Sequence, residues 1–268
     1  MNSNGSFKTN IQYINYHELL ELIYLSKIEI SEKNHHKIEQ KYYIRHLFHN
    51  KIISKISYQL SSKKIEAIIF NLIFNILNFK HNKNYKIIDV ACGYDSLILK
   101  IANLFKNSTI IGNDLCWKGI LENKSKNLSN LTLTSENILN SKFWENKAYD
   151  LIICKNTLHH LNSEQQEGLI IQMVKFSKNV IIVEIEDPQR DSLLSFVWNF
   201  YYRKFLKDDF DNFISKNKLL KMLKKIKSEN IQIFTSKIKT VKGNYLIACI
   251  SKKISNLNDN PKQLIKGD

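Results

Sequence analysis

Turn-forming residues are scarce in this chain. Its 268 residues include only 7 glycines and 2 prolines. A β-sandwich or another loop-rich β fold needs these residues at frequent turns, so the composition argues against that class. The hydrophobic content of 43% is sufficient for a packed core and argues against wholesale disorder. The length fits one large α/β domain with an added segment.

Cysteine is also sparse and shows no metal-binding pattern. The four cysteines, Cys92, Cys116, Cys154 and Cys249, form no CxxC pair and no other zinc-ligand spacing. Three of them lie inside or beside predicted strands, which is typical of small reduced residues in a core or pocket. The sequence therefore predicts no metal site. It predicts a cytoplasmic protein, because free cysteines fit a reducing compartment.

Arginine is rare although the chain is strongly basic. Only three of the 40 lysine and arginine residues are arginine, and the formal net charge is +15. A nucleic-acid or anionic-membrane partner would explain such a charge, yet sites for phosphates or bases usually use arginine as well. Lysine, asparagine and isoleucine are abundant together, as an AT-biased coding sequence would produce. We therefore expect the charge to be compositional, with nucleic-acid binding as the alternative.

No apolar run is long enough to cross a membrane. The most apolar stretch, residues 65–79, is shorter than the ~20 residues of a membrane span. Asn71, Asn75 and Asn78 form a narrow polar stripe along it at helical spacing, which predicts a core helix. The polar amino-terminal sequence MNSNGSFKTN lacks the apolar segment of a signal peptide. We expect neither a signal peptide nor a transmembrane segment.

Short β-branched strands alternate with helical segments from residue 85 onward. This alternation, at roughly 20–25 residue intervals, builds right-handed βαβ units and a parallel sheet covered on both faces. The last two strands, IQIFTSKIKTV and NYLIACISKK, are separated by Lys242 and Gly243 and predict an antiparallel hairpin. The predicted fold is α/β, with a seven-stranded, mostly parallel sheet. Its first five strands cover residues 85–91, 108–115, 131–135, 149–156 and 179–186.

The chain divides into three predicted segments. Residues 1–60 are charged with a helical pattern and form an N-terminal helical extension. Residues 61–253 hold the α/β domain, which carries an aromatic-rich helical insert at about 190–227, after strand five. Residues 254–268 are polar, and we expect a disordered tail.

Polar residues follow the predicted strands, where an open parallel sheet binds its ligands. Asp114 closes the second strand about 25 residues after Asp89. A carboxylate at this place suits the two vicinal hydroxyls of a ribose, a signal that NAD sites and S-adenosylmethionine sites share. A helix N-cap is the structural alternative. The other strand ends carry Gly93, Glu136, Asn137, Lys155, Asn156, His159 and His160.

The sequence of the loop DVACGYDS, residues 89–96, distinguishes between two classes of cofactor. A dinucleotide loop, GxGxxG, presents helix amides to a pyrophosphate. Here Gly93 is the single glycine, and Ala91 and Asp95 stand where others would be expected. An anion such as Asp95 near the helix start repels a pyrophosphate but suits the helix dipole. S-adenosylmethionine carries an ammonium and a sulfonium and no phosphate, so the loop favours it over NAD.

Three motifs in order resemble the class I S-adenosylmethionine-dependent methyltransferases. They read IIDVACGYDSLILKIA, IIGNDLCWKGI and YDLIICKNTLHHL. The resemblance spans about residues 60–253 and implies a Rossmann-like methyltransferase domain that binds S-adenosyl-L-methionine. The family's first motif, D-x-G-x-G-x-G, falls on Asp89, Ala91, Gly93 and Asp95. Its other cofactor-binding positions fall on Asp114 with Leu115 beside it, on Asn137 with Glu136 as the alternative, and on Asn156.

The resemblance also narrows the chemistry. Amino-methylating nucleic-acid enzymes of this kind carry an Asn/Asp-Pro-Pro-aromatic turn after strand four, and here the turn is KNTL. RNA cytosine enzymes need a Pro-Cys nucleophile, and Cys154 has no proline beside it. Both subclasses are therefore disfavoured. The acceptor pocket is expected between the N-terminal helices and the insert.

Catalysis of methyl transfer needs few groups. The step is an in-line displacement in which positioning supplies much of the acceleration, and a base is needed only when the acceptor must lose a proton. His159 and His160 are the candidate catalytic bases because a neutral imidazole accepts a proton near pH 7. A packing or helix-start role is the alternative for either histidine.

The predicted function is methylation of a small molecule or biosynthetic intermediate. One alternative is an RNA methyltransferase that uses the lysine-rich surface. The other is a non-catalytic, methyltransferase-like binding protein that has lost turnover through Ala91 and Asp95.

Overall fold

One seven-stranded sheet organises the protein. The computed structural model describes residues 61–93, 96–115, 127–186, 200, 212–226, 231–240 and 243–252. The strand order is β3-β2-β1-β4-β5-β7-β6, with β1 to β5 parallel and β7 antiparallel to both of its neighbours. This confirms the predicted mostly parallel sheet and its antiparallel hairpin. The strands are β1 Lys86–Val90, β2 Thr109–Asn113, β3 Leu131–Thr134, β4 Tyr149–Lys155, β5 Ser177–Ile185, β6 Ile231–Thr240 and β7 Gly243–Lys252.

Helices connect the parallel strands and cover the sheet. The predicted core helix is present as α1, Lys63–Asn71, which continues as a π-helix over Leu72–Ile76. Asn162 and Gln165 form a reciprocal capping box that begins α4, because each side chain satisfies a backbone N–H of the first turn. The remaining helices are α2 Ser96–Leu104, α3 Ser141–Trp144, a 3-10 helix over Leu158–His160, α4 Ser163–Lys175 and α5 Lys216–Ile226.

Two hydrophobic cores lie on opposite faces of the sheet. Successive strand side chains point to opposite faces, so Ile87 packs in the core under α1 and α2 while Ile88 packs in the core under α3, α4 and α5. The central strands are apolar on both faces because both are covered. This confirms the prediction of helices on both faces.

The predicted boundaries hold to within a few residues. β5 begins at Ser177, two residues before the predicted start. Gly243 is the first residue of β7 and pairs with Thr240, so it lies in the strand rather than in the turn. Its φ of 135° is a backbone conformation that favours glycine.

Much of the predicted domain division lies outside the described residues. Residues 1–60 and 254–268 are not among them, and the predicted insert is described only at Phe200 and over residues 212–226. The segment boundaries therefore stay predictions. Across the described ranges, no helix has both the length and the apolar character needed to span a membrane.

Candidate active site

The residues predicted to bind a cofactor meet at one edge of the sheet. β1, β2, β3 and β4 run parallel, so the segments that follow them leave the sheet at the same edge. Backbone hydrogen bonds tie these segments together, from Cys92 N–H to Asn113 O at 2.9 Å and from Asp114 N–H to Thr134 O at 3.1 Å. The candidate residues at this edge are Asp89, Ala91, Gly93, Asp114, Leu115, Glu136, Asn137 and Asn156.

The loop after β1, which is the predicted cofactor loop, has left-handed backbone conformations that favour glycine, although Gly93 is its single glycine. Gly93 has a φ of 56° and Ala91 a φ of 59°. The left-handed conformation costs a residue with a Cβ roughly 1–2 kcal/mol, so Ala91 holds the loop shape at that cost. Asp89 lies within β1 and is buried. Asp95, the other departure from the motif, lies outside the described residues.

The Asp114 carboxylate contacts this loop directly. Its Oδ2 accepts a hydrogen bond from Gly93 N–H at 2.7 Å, across the ends of β1 and β2. A carboxylate offers about four acceptor sites on its two oxygens, so one side chain can accept from several donors. The contact sets a negative charge beside Gly93 N–H, at a strand end where dinucleotide sites also place an acidic residue for a ribose.

Asn113 organises the neighbouring loop after β3. Its buried side chain donates to Glu136 O at 2.9 Å and accepts from Glu136 N–H at 2.8 Å and from Thr134 Oγ1 at 2.9 Å. Glu136 is half-buried, and Lys147 lies 3.7 Å from its carboxylate. Asn137 is exposed, and its side chain accepts from Leu139 N–H in a local turn. The structure thus keeps both residues at the edge and ties the backbone of Glu136 to the end of β2.

Gly112 leaves room for the side chains that pack against β2, including that of Cys92 in the loop after β1. A Cβ built at Gly112 would lie 2.7 Å from Leu133 Cδ2 and 3.0 Å from Cys92 Sγ. The glycine therefore allows Cys92 to pack against β2. A single glycine inside a predicted strand is a known signal of close approach, and it could have identified this position from the sequence.

The turn after β4 is held from inside the protein. Asn156 is exposed, with a φ of 54°, and its N–H donates to Val183 O at 2.9 Å. The two histidines that follow have different surroundings, since His159 is buried with 2% of its surface exposed while His160 is exposed. Their rings lie 4.1 Å apart between centroids. The structure therefore brings His160, and not the ring of His159, to the surface of this edge.

Glu184 is the buried partner of His159. Its Oε1 lies 2.5 Å from His159 Nδ1, and its Oε2 accepts from Thr157 N–H at 3.1 Å and from Leu158 N–H at 2.7 Å. Glu184 alternates with Val180 and Ile182 on β5, at a position that would otherwise be apolar core. An acidic residue in an apolar strand is the signal that could have revealed it, because buried carboxylates require partners.

Burial and pairing act in opposite directions on Glu184. Burial by itself raises the pKa of the carboxyl, but the charge of His159 and the hydrogen bonds from His159 and Ile185 N–H outweigh it, so the pKa lies below its ordinary value. Cys154, on the neighbouring strand, shows the effect of burial without such a partner. Burial, together with the nearby charge of Glu184, raises the pKa of its thiol far above the usual range, which makes it a poor nucleophile.

Gln166 donates to backbone carbonyls of the turn after β4 and of a distant segment. Its buried Nε2 lies 2.8 Å from Leu158 O, 3.0 Å from Leu161 O and 2.8 Å from Asn212 O. Asn212 precedes α5, so one side chain of α4 connects the turn after β4 to the last part of the predicted insert. Among the described residues, no group of three or more His, Cys, Asp or Glu side chains could hold a metal ion.

The match to a known family covers the elements that build this edge. Residues 87–179, from β1 into the start of β5, match the family described as "Methyltransferase domain". This part of the chain is therefore similar to a methyltransferase domain. The match includes the cofactor loop, Asp114 and the turn after β4, and it ends before Glu184. No curated protein matches the chain by sequence.

Solved structures share the fold of the methyltransferase domain at low sequence identity. Magnesium protoporphyrin IX methyltransferase from Synechocystis PCC 6803, solved with S-adenosylhomocysteine, is 16% identical with a TM-score of 0.54 over 76% of this chain and 88% of that one. A plantazolicin methyltransferase, solved with a triazolic desmethylPZN analog and S-adenosylhomocysteine, is 13% identical with a TM-score of 0.56 over 84% and 99%. An O-methyltransferase family protein from Burkholderia thailandensis is 12% identical with a TM-score of 0.56 over 92% and 71%.

Proposed function

We propose that this methyltransferase domain transfers a methyl group from S-adenosylmethionine to a small-molecule acceptor. The observation that carries the proposal is the Asp114 carboxylate on the N–H of Gly93. A carboxylate at this strand end suits ribose hydroxyls, as in NAD sites as well, and the sequence of the loop, with Asp95 near the helix start, disfavours a pyrophosphate. S-adenosylmethionine has the ribose and lacks the phosphate.

The residues at the edge fit this cofactor by charge and by shape. Asp89, Asp114 and Glu136 give a local acidic character to a chain whose net charge is +15, which suits the ammonium and sulfonium of the ligand. Ala91 and Gly93 allow the backbone to approach the ligand closely. When bound, the cofactor supplies a methyl group on a positively charged sulfur. The structural neighbours solved with S-adenosylhomocysteine support the same assignment.

His160 is the candidate base. It is exposed at the edge, beside the turn after β4, and its neutral imidazole can take a proton from an O–H or N–H acceptor as that atom gains the methyl group. His159 is buried against Glu184, which fits a supporting role rather than contact with an acceptor. An acceptor that carries no proton would need neither histidine.

A small organic acceptor is the class that we favour. The neighbours named for a porphyrin and for plantazolicin are methyltransferases of such compounds. Non-catalytic binding is disfavoured because Ala91 retains the backbone conformation of the glycine that the motif expects. Two kinds of nucleic-acid methylation are disfavoured: cytosine methylation, because Cys154 is buried and has no proline beside it, and amino methylation, because the turn after β4 reads KNTL.

Calorimetry with S-adenosylmethionine, S-adenosylhomocysteine and NAD tests the cofactor. We expect micromolar binding of the first two and none of NAD. Release of S-adenosylhomocysteine across a panel of small hydroxyl and amine compounds then tests the acceptor class. Absence of binding at high micromolar ligand contradicts the proposal. Product with RNA only, together with RNA binding that weakens steeply with salt, would favour the RNA alternative.

A further inference from the structure

We infer that Glu184 is the positioning residue of the methyltransferase site: its buried carboxylate holds residues 156–160 in the conformation that binds the cofactor. The inference rests on the proposed function, because it assigns Asn156 and His160 to that site. Glu184 lies inside β5 and beyond the region matched by the family.

The Glu184 carboxylate accepts hydrogen bonds from three donors of the turn after β4. Oε2 accepts from Thr157 N–H and Leu158 N–H, and Oε1 lies 2.5 Å from His159 Nδ1 and accepts Ile185 N–H at 2.8 Å. Three of these four donors belong to the turn after β4. Glu184 is fully buried, so the donors would have no water to replace it, and a buried donor without an acceptor destabilises the conformation that holds it.

The His159 ring transmits this restraint to His160. His159 Nδ1 donates to the carboxylate, which fixes the orientation of the buried ring. The exposed ring of His160 packs on it at 4.1 Å between centroids. Glu184 therefore sets the direction of the exposed imidazole without touching it.

Gln166 restrains the carbonyls of the same turn and supplies a second anchor. Its Nε2 donates toward Leu158 O and Leu161 O, while Glu184 accepts the N–H groups of Thr157 and Leu158. Backbone groups of the turn are thus satisfied by buried side chains from two other elements, β5 and α4. A turn built only for chain reversal would not need a buried charge, whose desolvation is costly.

The test compares Glu184→Gln and Glu184→Ala with Glu167→Gln. Gln keeps the shape of Glu, but it sets an NH₂ group against N–H donors whichever way the amide is oriented. Ala removes all four acceptor contacts. Glu167 lies on α4, is half-buried and pairs with Lys225 at 2.8 Å, so Glu167→Gln removes a paired charge away from the turn. The readouts are calorimetric binding of S-adenosylhomocysteine below the melting temperature and amide exchange at Thr157 and Leu158.

We expect Glu184→Gln to weaken S-adenosylhomocysteine binding about tenfold, and Glu184→Ala at least as much, with Glu167→Gln within twofold of the wild type. Amide exchange at Thr157 and Leu158 should accelerate in both Glu184 variants only. A histidine variant sharpens the test: His159→Gln leaves the two backbone N–H contacts in place and should weaken binding less than Glu184→Gln. If Glu184→Ala does not fold, the Gln variant still decides.

Affinity within twofold of the wild type in a folded Glu184→Gln protein would overturn the inference and leave the proposed function intact. If the wild type itself fails to bind S-adenosylhomocysteine, the proposed function fails. Amide exchange still judges the turn in that case, since unchanged protection of Thr157 and Leu158 in the Glu184 variants would show that the carboxylate does not hold it.

Discussion

The two halves of the candidate site are built in different ways. At β1 and β2, the polar groups lie at the strand ends, and Asp114 contacts the cofactor loop from the ligand edge. At β4 and β5, the turn is held by Glu184 and His159, which are both buried. Under the proposed function, the first half uses the same side chains to hold the loop and to bind the ligand, while the second uses buried residues for support and exposed residues for contact. A substitution should therefore change binding first in the one half and stability first in the other.

Removal of the Glu184 side chain should have the largest effect. Glu184→Ala leaves the His159 ring and two backbone N–H groups without their acceptor, so the free energy of unfolding should fall by about 3–5 kcal/mol. Urea denaturation followed by circular dichroism measures it. Glu167→Gln should stay within about 0.5 kcal/mol of the wild type. A comparable loss of stability in Glu167→Gln would contradict the prediction, because it would show that the effect does not depend on the burial of the carboxylate.

The stabilisation from Glu184 should depend on pH. Because the folded protein lowers the pKa of this carboxyl, the stabilisation is fully present above the unfolded value of 4.5 and is lost as the pH falls through the folded pKa. The difference in unfolding free energy between the wild type and Glu184→Gln should therefore be larger at about pH 5.5 than in more acidic solution, and it should shrink as the pH falls. A difference that grows on acidification would contradict the lowered pKa.

Asp114→Asn should affect binding more than folding. Hydrogen bonds to charged groups contribute about 1.5–3 kcal/mol, so S-adenosylhomocysteine should bind roughly 10- to 100-fold more weakly. Asp150 offers a matched control, since its carboxylate accepts Lys86 N–H at 2.8 Å at the start of β4, at the opposite edge of the sheet. Calorimetry should find Asp150→Asn within twofold of the wild type. Equal losses of S-adenosylhomocysteine affinity in the two variants would contradict a cofactor site at the carboxyl ends of the strands.

Ala91→Gly should have the smallest effect, and a favourable one. Relief of the left-handed φ is worth about 1–2 kcal/mol, and the added backbone freedom of glycine costs roughly 0.5–1 kcal/mol. We expect a net gain of about 0.5–1 kcal/mol in unfolding free energy, with S-adenosylhomocysteine affinity within twofold of the wild type. Ala91→Val should lose stability in the same urea experiment. A loss of stability in Ala91→Gly would show that the packing of the Ala91 methyl group stabilises the fold by more than its left-handed backbone costs.

The polar residues at the strand ends could be predicted from the sequence, but the buried polar residues that hold the loops could not. Asp114 and Gly93 follow short apolar strands, and parallel strands bring their carboxyl ends to one edge, so local pattern alone places them near each other. Glu184, Gln166 and Asn113 act through contacts with segments 20 or more residues away or with backbone groups of a turn. No local pattern specifies such contacts, although the acidic residue in the apolar strand β5 was a visible signal.

The α/β class, the hairpin, the ligand edge and the resemblance to the methyltransferases could all be predicted from the sequence, because they follow from the hydrophobic period and from the order of short motifs. The different surroundings of the two adjacent histidines could not be predicted, because they depend on contacts between distant segments. Successive side chains of the short helix Leu158–His160 point in different directions, and which of them enters the core depends on where β5 offers a buried acceptor. Glu184 offers it to His159, and that contact leaves His160 at the surface.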